Sequence, residues 1–382
     1  MDTKLKYAFL HSDKIEKFSY PEESPFKTER AGKTKRILSS MGLLAGPEVV
    51  LVPPVAASME DMQMLHSPEY LEVLQKVDQG HFQVEYLSLG LGTGDCPVFQ
   101  GLWPYAELAV GASLTGARLL LKGETALAFN PSGGYHHAHR DQASGFCYVN
   151  DVALACELLT RAGKRVLYLD VDVHHGDGVQ DFFYERDDVF SISLHESGRT
   201  LFPGTGFEDE LGRGPGLGYT ANLPLPVGTH DDAYRKAFFA LVPPLLKAYE
   251  PDVLVVELGM DALAGDPLAH LSLTNNVYAD ICQWLAGLGK PILATGGGGY
   301  NAEKASRGWA LCFSVLSGQD DPNADLSAGL GGVMLQSTEW QGGLRDRATF
   351  VSGDQGTSID TEIQSSLEKL KNSLFSIHGI DS

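Results

Sequence analysis

The chain has 382 residues, of which 43% are hydrophobic and 20% charged, proportions that exclude a disordered or fibrous protein. Its 49 acidic and 29 basic residues give a net charge of −20, which argues against nucleic-acid binding, because that uses basic patches to displace counterions from phosphates. No stretch of about eighteen apolar residues occurs and the N-terminus lacks the pattern of a signal peptide, so we expect neither a membrane span nor secretion.

Short β-branched runs recur along the chain with helical stretches between them, a rhythm typical of a parallel sheet wrapped by helices. The predicted strands are Tyr7 to His11, Val49 to Val52, Ala126 to Phe129, Arg165 to Val173, Val189 to Leu194, Val253 to Leu258 and Pro291 to Ala294. Two of them are almost continuously apolar, as expected of strands covered on both faces. The sequence therefore predicts an α/β fold, a three-layer α/β/α sandwich with a mostly parallel central sheet.

The sequence changes character after about Ser317, where polar and glycine-rich segments predict loops at Gln319 to Asn323, Gly329 to Gly332 and Gly353 to Thr357. From Asp360 to Phe375, apolar residues at helical spacing predict a helix: Ile363, Leu367, Leu370 and Leu374. We therefore predict one main domain over residues 1–318 and a C-terminal extension, residues 319–382, that packs on it.

The five cysteines are odd in number and lack zinc-ribbon spacing. Most lie inside apolar segments, and the five positions are Cys96, Cys147, Cys156, Cys282 and Cys312. This pattern favours a reducing compartment, the cytoplasm.

Polar segments follow four of the predicted strands, at the ends where ligand sites gather in such sheets. They are Pro131 to His137, His174 to Gly178, Gly259 to Asp261 and Gly296 to Tyr300. The carboxyl ends of parallel strands lie at one edge of the sheet, so these segments should deliver their side chains to a common site.

The segment Tyr168 to Asp177 places acids and imidazoles at the end of what should be a buried strand. Side chains alternate across a strand, so Asp170, Asp172 and His174 would share one face. An unpaired buried carboxylate costs several kcal/mol, so two of them beside a histidine require a positive partner. The segment therefore predicts a metal site.

A catalytic zinc takes three protein ligands and keeps one position open. Asp172 and His174 supply two, and Asp261 is the best third, because it too follows a buried strand. This oxygen-rich set suits Zn²⁺ and tolerates Fe²⁺ or Co²⁺. Such a site is suited to hydrolysis of an amide or ester.

Hydrolysis also needs a proton acceptor and a proton donor. His136 and His137 are placed for this, and Asp170 and Asp177 are the nearest acids that would orient them. Tyr300, after four glycines, would donate its hydroxyl to the developing oxyanion. Each feature alone has an ordinary structural explanation, but their conjunction at equivalent strand ends favours catalysis.

Several separated motifs resemble the zinc-dependent histone deacetylases of the arginase/deacetylase superfamily, and in particular their prokaryotic, acetoin-utilisation-type members. The matching motifs are Gly133 to Ala138, Ala143 to Asp151, Asp170 to Gly178, Leu194-His195, Phe202 to Gly206 and Gly296 to Tyr300. The resemblance runs from about Tyr7 to Gly318, so residues 1–318 would be the deacetylase catalytic domain.

The resemblance implies three zinc ligands, namely Asp172, His174 and Asp261. Tyr300 and the metal would polarise the substrate carbonyl. His137, paired with Asp177, would be the principal general base and acid, whereas His136, paired with Asp170, would mainly tune the electrostatics.

Members of this family also bind potassium. The site beside the zinc would use Asp170, the carbonyls of Asp172 and His174, the Ser193 hydroxyl and the Leu194 carbonyl. A second site would use Phe183, Arg186, Val189 and Tyr219.

The substrate would enter through a narrow channel whose walls, by resemblance, include Gly145, Phe146 and Phe202. Facing aromatic rings suit the methylenes of a lysine. Asp95 matches the rim aspartate that holds the substrate backbone, and Arg30 resembles an arginine near an inner acetate-release channel.

Two positions bear on the substrate. Relatives that prefer acetylated polyamines have a glutamate where this chain has Leu268, which favours acyl-lysine of a protein or peptide as the partner. Tyr135 stands where many relatives have a smaller residue at the foot of the acyl pocket, which argues against long acyl groups.

Other functions remain as alternatives. An acetylpolyamine or other small-molecule amidohydrolase would share the fold, and so would an inactive acyl-lysine-binding protein. An arginase-like enzyme with two manganese ions is disfavoured, because position 259 is glycine rather than a second aspartate. The sequence leaves a homo-oligomer open.

Overall fold

The computed structural model describes residues 6–320, 343–347 and 354–381. The strands in these ranges are β1 Lys6–Leu10, β2 Val49–Val52, β3 Thr125–Asn130, β4 Val166–Asp170, β5 Val189–Glu196, β6 Thr220–Leu225, β7 Val253–Glu257 and β8 Ile292–Thr295. They form one sheet in the order β2-β1-β3-β8-β7-β4-β5-β6, and every neighbouring pair is parallel.

The helices of the same ranges are α1 Arg30–Ser40, α2 Met59–Met62, α3 Pro68–Asp78, α4 Leu102–Leu121, α5 Asp151–Arg161, α6 Asp177–Phe183, α7 Asp231–Tyr249, α8 Asn275–Gly287, α9 Ala302–Leu316 and α10 Asp354–Leu370. None of these described helices combines the length and the apolar composition needed to cross a membrane.

Helices cover both faces of the sheet because strand side chains alternate between two hydrophobic cores. On β4, Leu167 and Leu169 belong to the core that includes residues of α7, α8 and α9. Val166 and Tyr168 point the other way, into the core that includes residues of α4 and α5. The predicted α/β/α sandwich is therefore confirmed, and the sheet is parallel throughout its described strands.

All seven predicted strands are present, with ends that differ by a few residues, but the sequence does not predict β6. Its segment contains Pro224, which cannot donate to a ladder and normally argues against a strand. The proline is tolerated because β6 lies at the edge of the described sheet, where it pairs with β5 alone.

The predicted strand over residues 165–173 is too long, because β4 ends at Asp170. Oδ1 of Asp170 accepts the backbone N–H of Asp172 at 3.0 Å, and Oδ1 of Asp172 accepts that of His174 at 2.9 Å. Each carboxylate thus holds the backbone two residues further on, which bends the chain out of the sheet. Strand alternation was the wrong reason for expecting these side chains together.

The predicted C-terminal helix is present as α10, followed by one wider helical turn at Lys371–Phe375. Its predicted apolar residues Ile363, Leu367, Leu370 and Leu374 are all buried. The helix contacts β6 and α7. It begins at Asp354, so the predicted loop is wrong for residues 354–357, whereas residues 321–323, 329–332 and Gly353 lie outside the described residues. The division at residue 318 stays a prediction.

Candidate active site

The four polar segments meet at one edge of the sheet. They follow β3, β4, β7 and β8, and these four strands are consecutive in the sheet order β3-β8-β7-β4. Because all four run in the same direction, their carboxyl ends lie side by side, and the segments contact one another there.

Asp172, His174 and Asp261 form a buried group, which we call the ligand cluster. Their potential ligand atoms all lie within 4.8 Å of one another. Nδ1 of His174 lies 3.2 Å from Oδ1 of Asp172 and 3.0 Å from Oδ2 of Asp261. The loop after β4 and the loop after β7 thus deliver two carboxylates and one imidazole to the same point.

The chemistry of the ligand cluster fits a divalent cation. Apart from His174, the carboxylates are bonded by backbone amides: Gly298 donates to Oδ2 of Asp172 at 2.7 Å, and Val173 donates to Oδ1 of Asp261 at 3.0 Å. No lysine or arginine of the described ranges bonds to either carboxylate. Two buried acids with one imidazole and no basic side chain need a further positive charge.

The shifted pKa values within the ligand cluster also reflect its shortage of positive charge. Burial tends to lower the pKa of His174, but Asp172 and Asp261 outweigh burial and raise it to about 10. Burial, together with the charge of Asp172, raises the pKa of Asp261 to about 7. The imidazole therefore takes up a proton, and one carboxyl resists losing its own, because the cluster is short of positive charge.

Two glycines let the backbone lie directly against these carboxylates. A Cβ atom at Gly259 would overlap Oδ2 of Asp172, and one at Gly298 would overlap Oδ2 of Asp261. Close approach to the ligand cluster accounts for glycine at both positions. Gly298, which belongs to the four-glycine segment, is thus explained without a bound phosphate.

His136 and His137 lie beside the ligand cluster, with their Nε2 atoms 3.0 Å apart. Nδ1 of His136 lies 2.9 Å from Oδ2 of Asp170, and Nδ1 of His137 lies 2.6 Å from Oδ1 of Asp177. The structure therefore brings each histidine together with the acid that the sequence suggests for it.

The pKa values of the two imidazoles move in opposite directions. Burial and the charge of His136 lower the pKa of His137 to about 4, although Asp177 opposes the shift. For His136, burial is outweighed by Glu257, Asp170 and Asp172, which raise its pKa well above the ordinary value. At neutral pH His137 is therefore free to accept a proton, while His136 is charged.

Glu257 is a site residue that the sequence does not single out. It is completely buried at the end of β7, and its Oε2 accepts the hydroxyl of Tyr168 at 3.1 Å. Its Oε1 lies 3.3 Å from Nδ1 of His136 but makes no hydrogen bond with a described residue, because that N–H is directed at Asp170. The available signal was a glutamate inside an otherwise apolar strand.

Aromatic side chains line the approach to the site. The ring of Phe202, which is 41% exposed, lies 5.0 Å from the ring of His137. A Cβ atom at Gly145 would overlap the His137 ring, so a larger residue would obstruct the space there. The ring of Phe146 lies 5.6 Å from that of Tyr300. Of the three predicted channel residues, Gly145 and Phe202 thus lie against His137 and Phe146 lies against Tyr300.

Tyr300 faces the ligand cluster from the loop after β8. Its ring lies 6.4 Å from that of His174 and 5.6 Å from that of Phe146. The backbone N–H of Tyr300 donates to Oδ2 of Asp266 at 2.8 Å, which fixes the loop. Burial raises the pKa of the hydroxyl well above 10, so it remains a hydrogen-bond donor.

Tyr135 and Arg30 lie deeper in the protein. Both are buried and both pack on Phe26, whose ring lies 5.9 Å from that of Tyr135 and 4.5 Å from the guanidinium carbon of Arg30. Nη1 of Arg30 donates to the carbonyl of Gly299 at 2.8 Å, and the Tyr135 hydroxyl bonds that of Tyr105. Arg30 thus lies behind Tyr300, on the inner side of the site.

Leu268 and Asp95 are less closely connected to these groups. The backbone N–H of Leu268, which is half-buried, donates to Oδ1 of Asp266 at 3.0 Å, so the carboxylate that holds Tyr300 also holds Leu268. Asp95 is exposed in a loop, and within the described ranges no hydrogen bond ties it to the other site residues.

The residues expected at the first potassium site gather at the ends of β4 and β5. Asp170 of β4 pairs with Ser193 of β5 in the sheet. The Ser193 hydroxyl lies 2.8 Å from Nδ1 of His195, and the neighbouring Leu194 is buried. The residues expected at the second potassium site lie at the other end of the strands, where β5 and β6 begin and α6 ends. They are Phe183, Arg186, Val189 and Tyr219.

Comparisons with known proteins agree with this geometry. Residues 24–316 match the family model described as "Histone deacetylase domain". The chain is 38% identical over 320 residues to "Acetoin utilization protein AcuC" of Bacillus subtilis (strain 168), covering 82% of each protein. It is 39% identical over 291 residues to "Histone deacetylase 8" of Danio rerio, covering 76% of each.

A solved structure extends the agreement to the fold. The crystal structure of an HDAC homologue from Aquifex aeolicus aligns with a TM-score of 0.84 at 30% identity, over 96% of this chain and 100% of that one. With most of its length matched in both sequence and structure, the chain belongs to the histone deacetylase family.

Proposed function

We propose that this protein, a lysine deacetylase by family, removes acetyl or other short acyl groups from lysine ε-amines of proteins or peptides by a metal-dependent mechanism. One observation carries the proposal: two buried carboxylates and an imidazole converge beside a pair of histidines at one edge of the sheet. Neither group has a structural purpose that would offset the cost of burying so many polar side chains.

The ligand cluster would hold Zn²⁺, and Fe²⁺ would also suit its two carboxylates and one imidazole. When bound, the ion supplies a Lewis acid that polarises the substrate carbonyl and lowers the pKa of water. A second metal of the arginase type is disfavoured, because an aspartate at position 259 would overlap Asp172.

The proton transfers fall to the chain's own side chains. His137, neutral at rest, takes a proton from the attacking water at Nε2, while its Nδ1 N–H stays bonded to Asp177. The hydroxyl of Tyr300 donates to the oxygen of the developing tetrahedral centre. His137 then returns its proton to the leaving ε-amine, and His136, charged and held by Asp170, favours negative charge in the site.

The channel supports an extended, uncharged side chain as substrate. Phe146 and Phe202 offer rings on which the methylenes of a lysine can pack, and the charge of that lysine is absent once it is acylated. Asp95 would hold the substrate backbone at the rim. The buried Tyr135 favours short acyl groups, and Arg30 would lie beside the path of released acetate.

Two alternatives within the fold are weaker. An acetylpolyamine would carry an ammonium far from the scissile bond, and Leu268 offers no charge to select it. An inactive acyl-lysine-binding protein would not need the proton-transfer groups, yet His137, Asp177 and Tyr300 are all in place.

We propose that potassium binds at two places, one at the ends of β4 and β5 and one where β5 and β6 begin. The first set supplies the Asp170 carboxylate, the Ser193 hydroxyl and backbone carbonyls, which are oxygen ligands of the kind that hard cations prefer. The second set would act through its backbone oxygens.

We also propose a cytoplasmic location and a single catalytic domain over residues 1–318 with the remaining residues packed on it. The five cysteines are buried and free, in keeping with a reducing compartment. The contacts of α10 with β6 and α7 support the packing of the extension.

Turnover of a panel of substrates tests the proposal. Peptides with acetyl-lysine should be hydrolysed with a kcat/KM about tenfold or more above that of acetylated polyamines. The variant Leu268→Glu should narrow that ratio, because it adds the missing charge. If the unaltered chain preferred polyamines, an acetylpolyamine hydrolase would be favoured. If the zinc-loaded protein turned over no substrate at all, an inactive acyl-lysine-binding protein would be favoured.

A further inference from the structure

One acid at the active edge of the sheet has no part in the proton transfers. Glu196 is the last residue of β5, and its side chain is completely buried. Within the described ranges, no lysine or arginine bonds its carboxylate. Burial of a carboxylate is costly unless its oxygens accept hydrogen bonds, so the bonds that Glu196 accepts indicate what it holds in place.

Both oxygens of this carboxylate bind the segment that carries Leu268. Oε2 of Glu196 accepts the backbone N–H of His270 at 2.8 Å, and Oε1 lies 3.0 Å from Nδ1 of the His270 ring. Because a carboxylate only accepts hydrogen bonds, Nδ1 carries the proton and donates it. The ring is otherwise 58% exposed, so these two bonds fix a residue that would be free to move, two positions beyond Leu268.

The same carboxylate also binds the segment that carries Phe202. Oε1 of Glu196 lies 3.0 Å from the hydroxyl of Thr200, which is equally close to the carbonyl of Ser197. The single hydroxyl proton favours Glu196, since a carboxylate is the stronger acceptor. Thr200 stands two residues before Phe202, whose ring lies against that of His137.

The backbone of Glu196 is tied to the ligand cluster. Its N–H donates to the carbonyl of Val173, the residue before His174, at 2.8 Å. In the part of the chain that the structure describes, no hydrogen bond joins segment 197–206 directly to segment 266–272. Glu196 is therefore the hydrogen-bonded link between these two segments, and it lies at a fixed distance from the ligand cluster.

This distance matters for an acyl-lysine. Its carbonyl has to reach the ligand cluster while its methylenes lie beside Phe202 and, further out, Leu268. The two segments must therefore keep their positions relative to each other and to the ligand cluster if one side chain is to contact all three.

We propose that Glu196 is a positioning residue for the substrate: its carboxylate holds the segments of Phe202 and Leu268 together beside the ligand cluster, and thereby shapes the mouth of the channel around the methylenes of an acyl-lysine. This inference rests on the proposed function. Glu196 itself does not touch the reacting atoms, and its carboxylate bonds none of the groups that transfer protons.

The expected consequence is weaker substrate binding with unchanged chemistry. If either segment is released, the mouth is mobile in the free protein, and the substrate has to order it on binding. This loss weakens the ground state and the transition state alike, so KM rises while kcat stays nearly the same. The cost of ordering one side chain corresponds to a factor of about two to ten in KM.

The link to the Phe202 segment can be cut at an exposed side chain. Thr200→Val removes only the hydroxyl and leaves the buried carboxylate in place, and it should raise KM for an acetyl-lysine peptide about twofold to fivefold. Thr361→Val, at an exposed position on α10, also loses a hydroxyl that bonds a backbone carbonyl. This control should leave KM unchanged.

The link to the Leu268 segment is tested by two variants of nearly the same shape. His270→Leu removes the Nδ1 bond and should raise KM about twofold to fivefold. His270→Asn can place an N–H where Nδ1 lies, so it should recover at least half of that loss.

Substitution of the acid itself should give the largest effect. Glu196→Leu removes all three bonds and should raise KM about fivefold or more. Glu196→Gln keeps a polar group for each contact and should stay within about twofold of the unaltered chain. If Glu196→Leu does not fold, the variants at Thr200 and His270 decide the question.

Binding of an unreactive peptide gives a readout that does not depend on turnover. In this probe a methylene replaces the ε-nitrogen of acetyl-lysine, so no amide bond is available for hydrolysis. Its Kd for the zinc-loaded variants, measured by calorimetry, should rise by the same factors as KM. The Kd for zinc should stay that of the unaltered chain.

Several results would each overturn the inference. They are a KM in Thr200→Val and His270→Leu equal to that of Thr361→Val, a fall in kcat in place of a rise in KM, and equal impairment of His270→Asn and His270→Leu. Weaker zinc binding would overturn it too, because Glu196 would then support the ligand cluster and not the mouth. Failure of the proposed function looks different, because the unaltered chain would then not hydrolyse acetyl-lysine at all.

Discussion

His136 and His137 are adjacent in the chain and chemically identical, yet their surroundings give them opposite proton affinities. Burial lowers the pKa of both, but three carboxylates outweigh it at His136 and raise the pKa there. At His137, burial and the charge of His136 outweigh one carboxylate, and the pKa falls to about 4. Division of labour between an acceptor of protons and a fixed positive charge therefore arises from placement alone.

Tyr300 offers the most direct test at the scale of one residue. Tyr300→Phe removes the hydroxyl but keeps the ring beside His174 and Phe146, so we expect zinc to bind as before. The variant should lose about a hundredfold or more in kcat, the scale of one lost oxyanion donor. Zinc content and kcat are measured on the same sample. Unchanged turnover would remove Tyr300 from the mechanism.

The sequence singles out these residues because ionisable side chains at the ends of apolar strands are rare and costly. It does not single out Glu257, because a lone glutamate in a strand is also compatible with an exposed edge. Only the register of β7 beside β4, which pairs Glu257 with Asp170, places it next to His136.

At the scale of an element, the four-glycine loop after β8 is shaped by what it contacts. Gly298→Ala would push a methyl group into Asp261, and either the loop or the carboxylate would have to move. We expect zinc affinity to fall about tenfold to a hundredfold, the range seen when groups supporting a metal ligand are disturbed.

The control for this variant is Gly287→Ala at the end of α8, where a Cβ atom would meet nothing within 4 Å. It should leave zinc affinity unchanged and stabilise the fold slightly, by about 0.5 kcal/mol, because alanine has the better helix propensity. Equal zinc affinity in both variants would contradict the close-approach explanation of the loop.

Helix α10 makes a second prediction at this scale. Leu370 is completely buried in the core that α7 and β6 share. Leu370→Ala should lower the free energy of unfolding by about 2–5 kcal/mol, measured by denaturant titration. Ser376→Ala, at an exposed position in the helical turn after Lys371–Phe375, should change it by less than about 0.5 kcal/mol. Equal stability of the two variants would show that α10 does not pack as described.

The limits of prediction differ between elements. Apolar runs and helical periodicity are local, so seven strands and α10 follow from the sequence. The edge strand β6 does not, because Pro224 outweighs its apolar neighbours in a local pattern. The end of β4 cannot be predicted from a local pattern either. The carboxylates of Asp170 and Asp172 each bond the backbone N–H two residues further on, and these bonds compete with strand geometry.

At the scale of the whole molecule, the site depends on a strand order that no local pattern encodes. β3, β8, β7 and β4 are neighbours in the sheet although more than a hundred residues separate β3 from β8 in the chain. The parallel direction of the strands places their polar ends together, and helices on both faces keep water from the rest of the sheet. Composition and periodicity predicted only the class of fold, and the polar strand ends predicted a common edge but not which strands are neighbours.

We propose that hydrolysis of acyl-lysine depends on one metal ion held by Asp172, His174 and Asp261. It is tested most directly by titrating the metal-depleted chain with Zn²⁺ while following deacetylation of an acetyl-lysine peptide. We predict that activity is lost on chelation, rises in proportion to added zinc and levels off at about one ion per chain. Hydrolysis that persists in protein shown to be metal-free, or activity that requires two ions per chain, would contradict this single-metal mechanism.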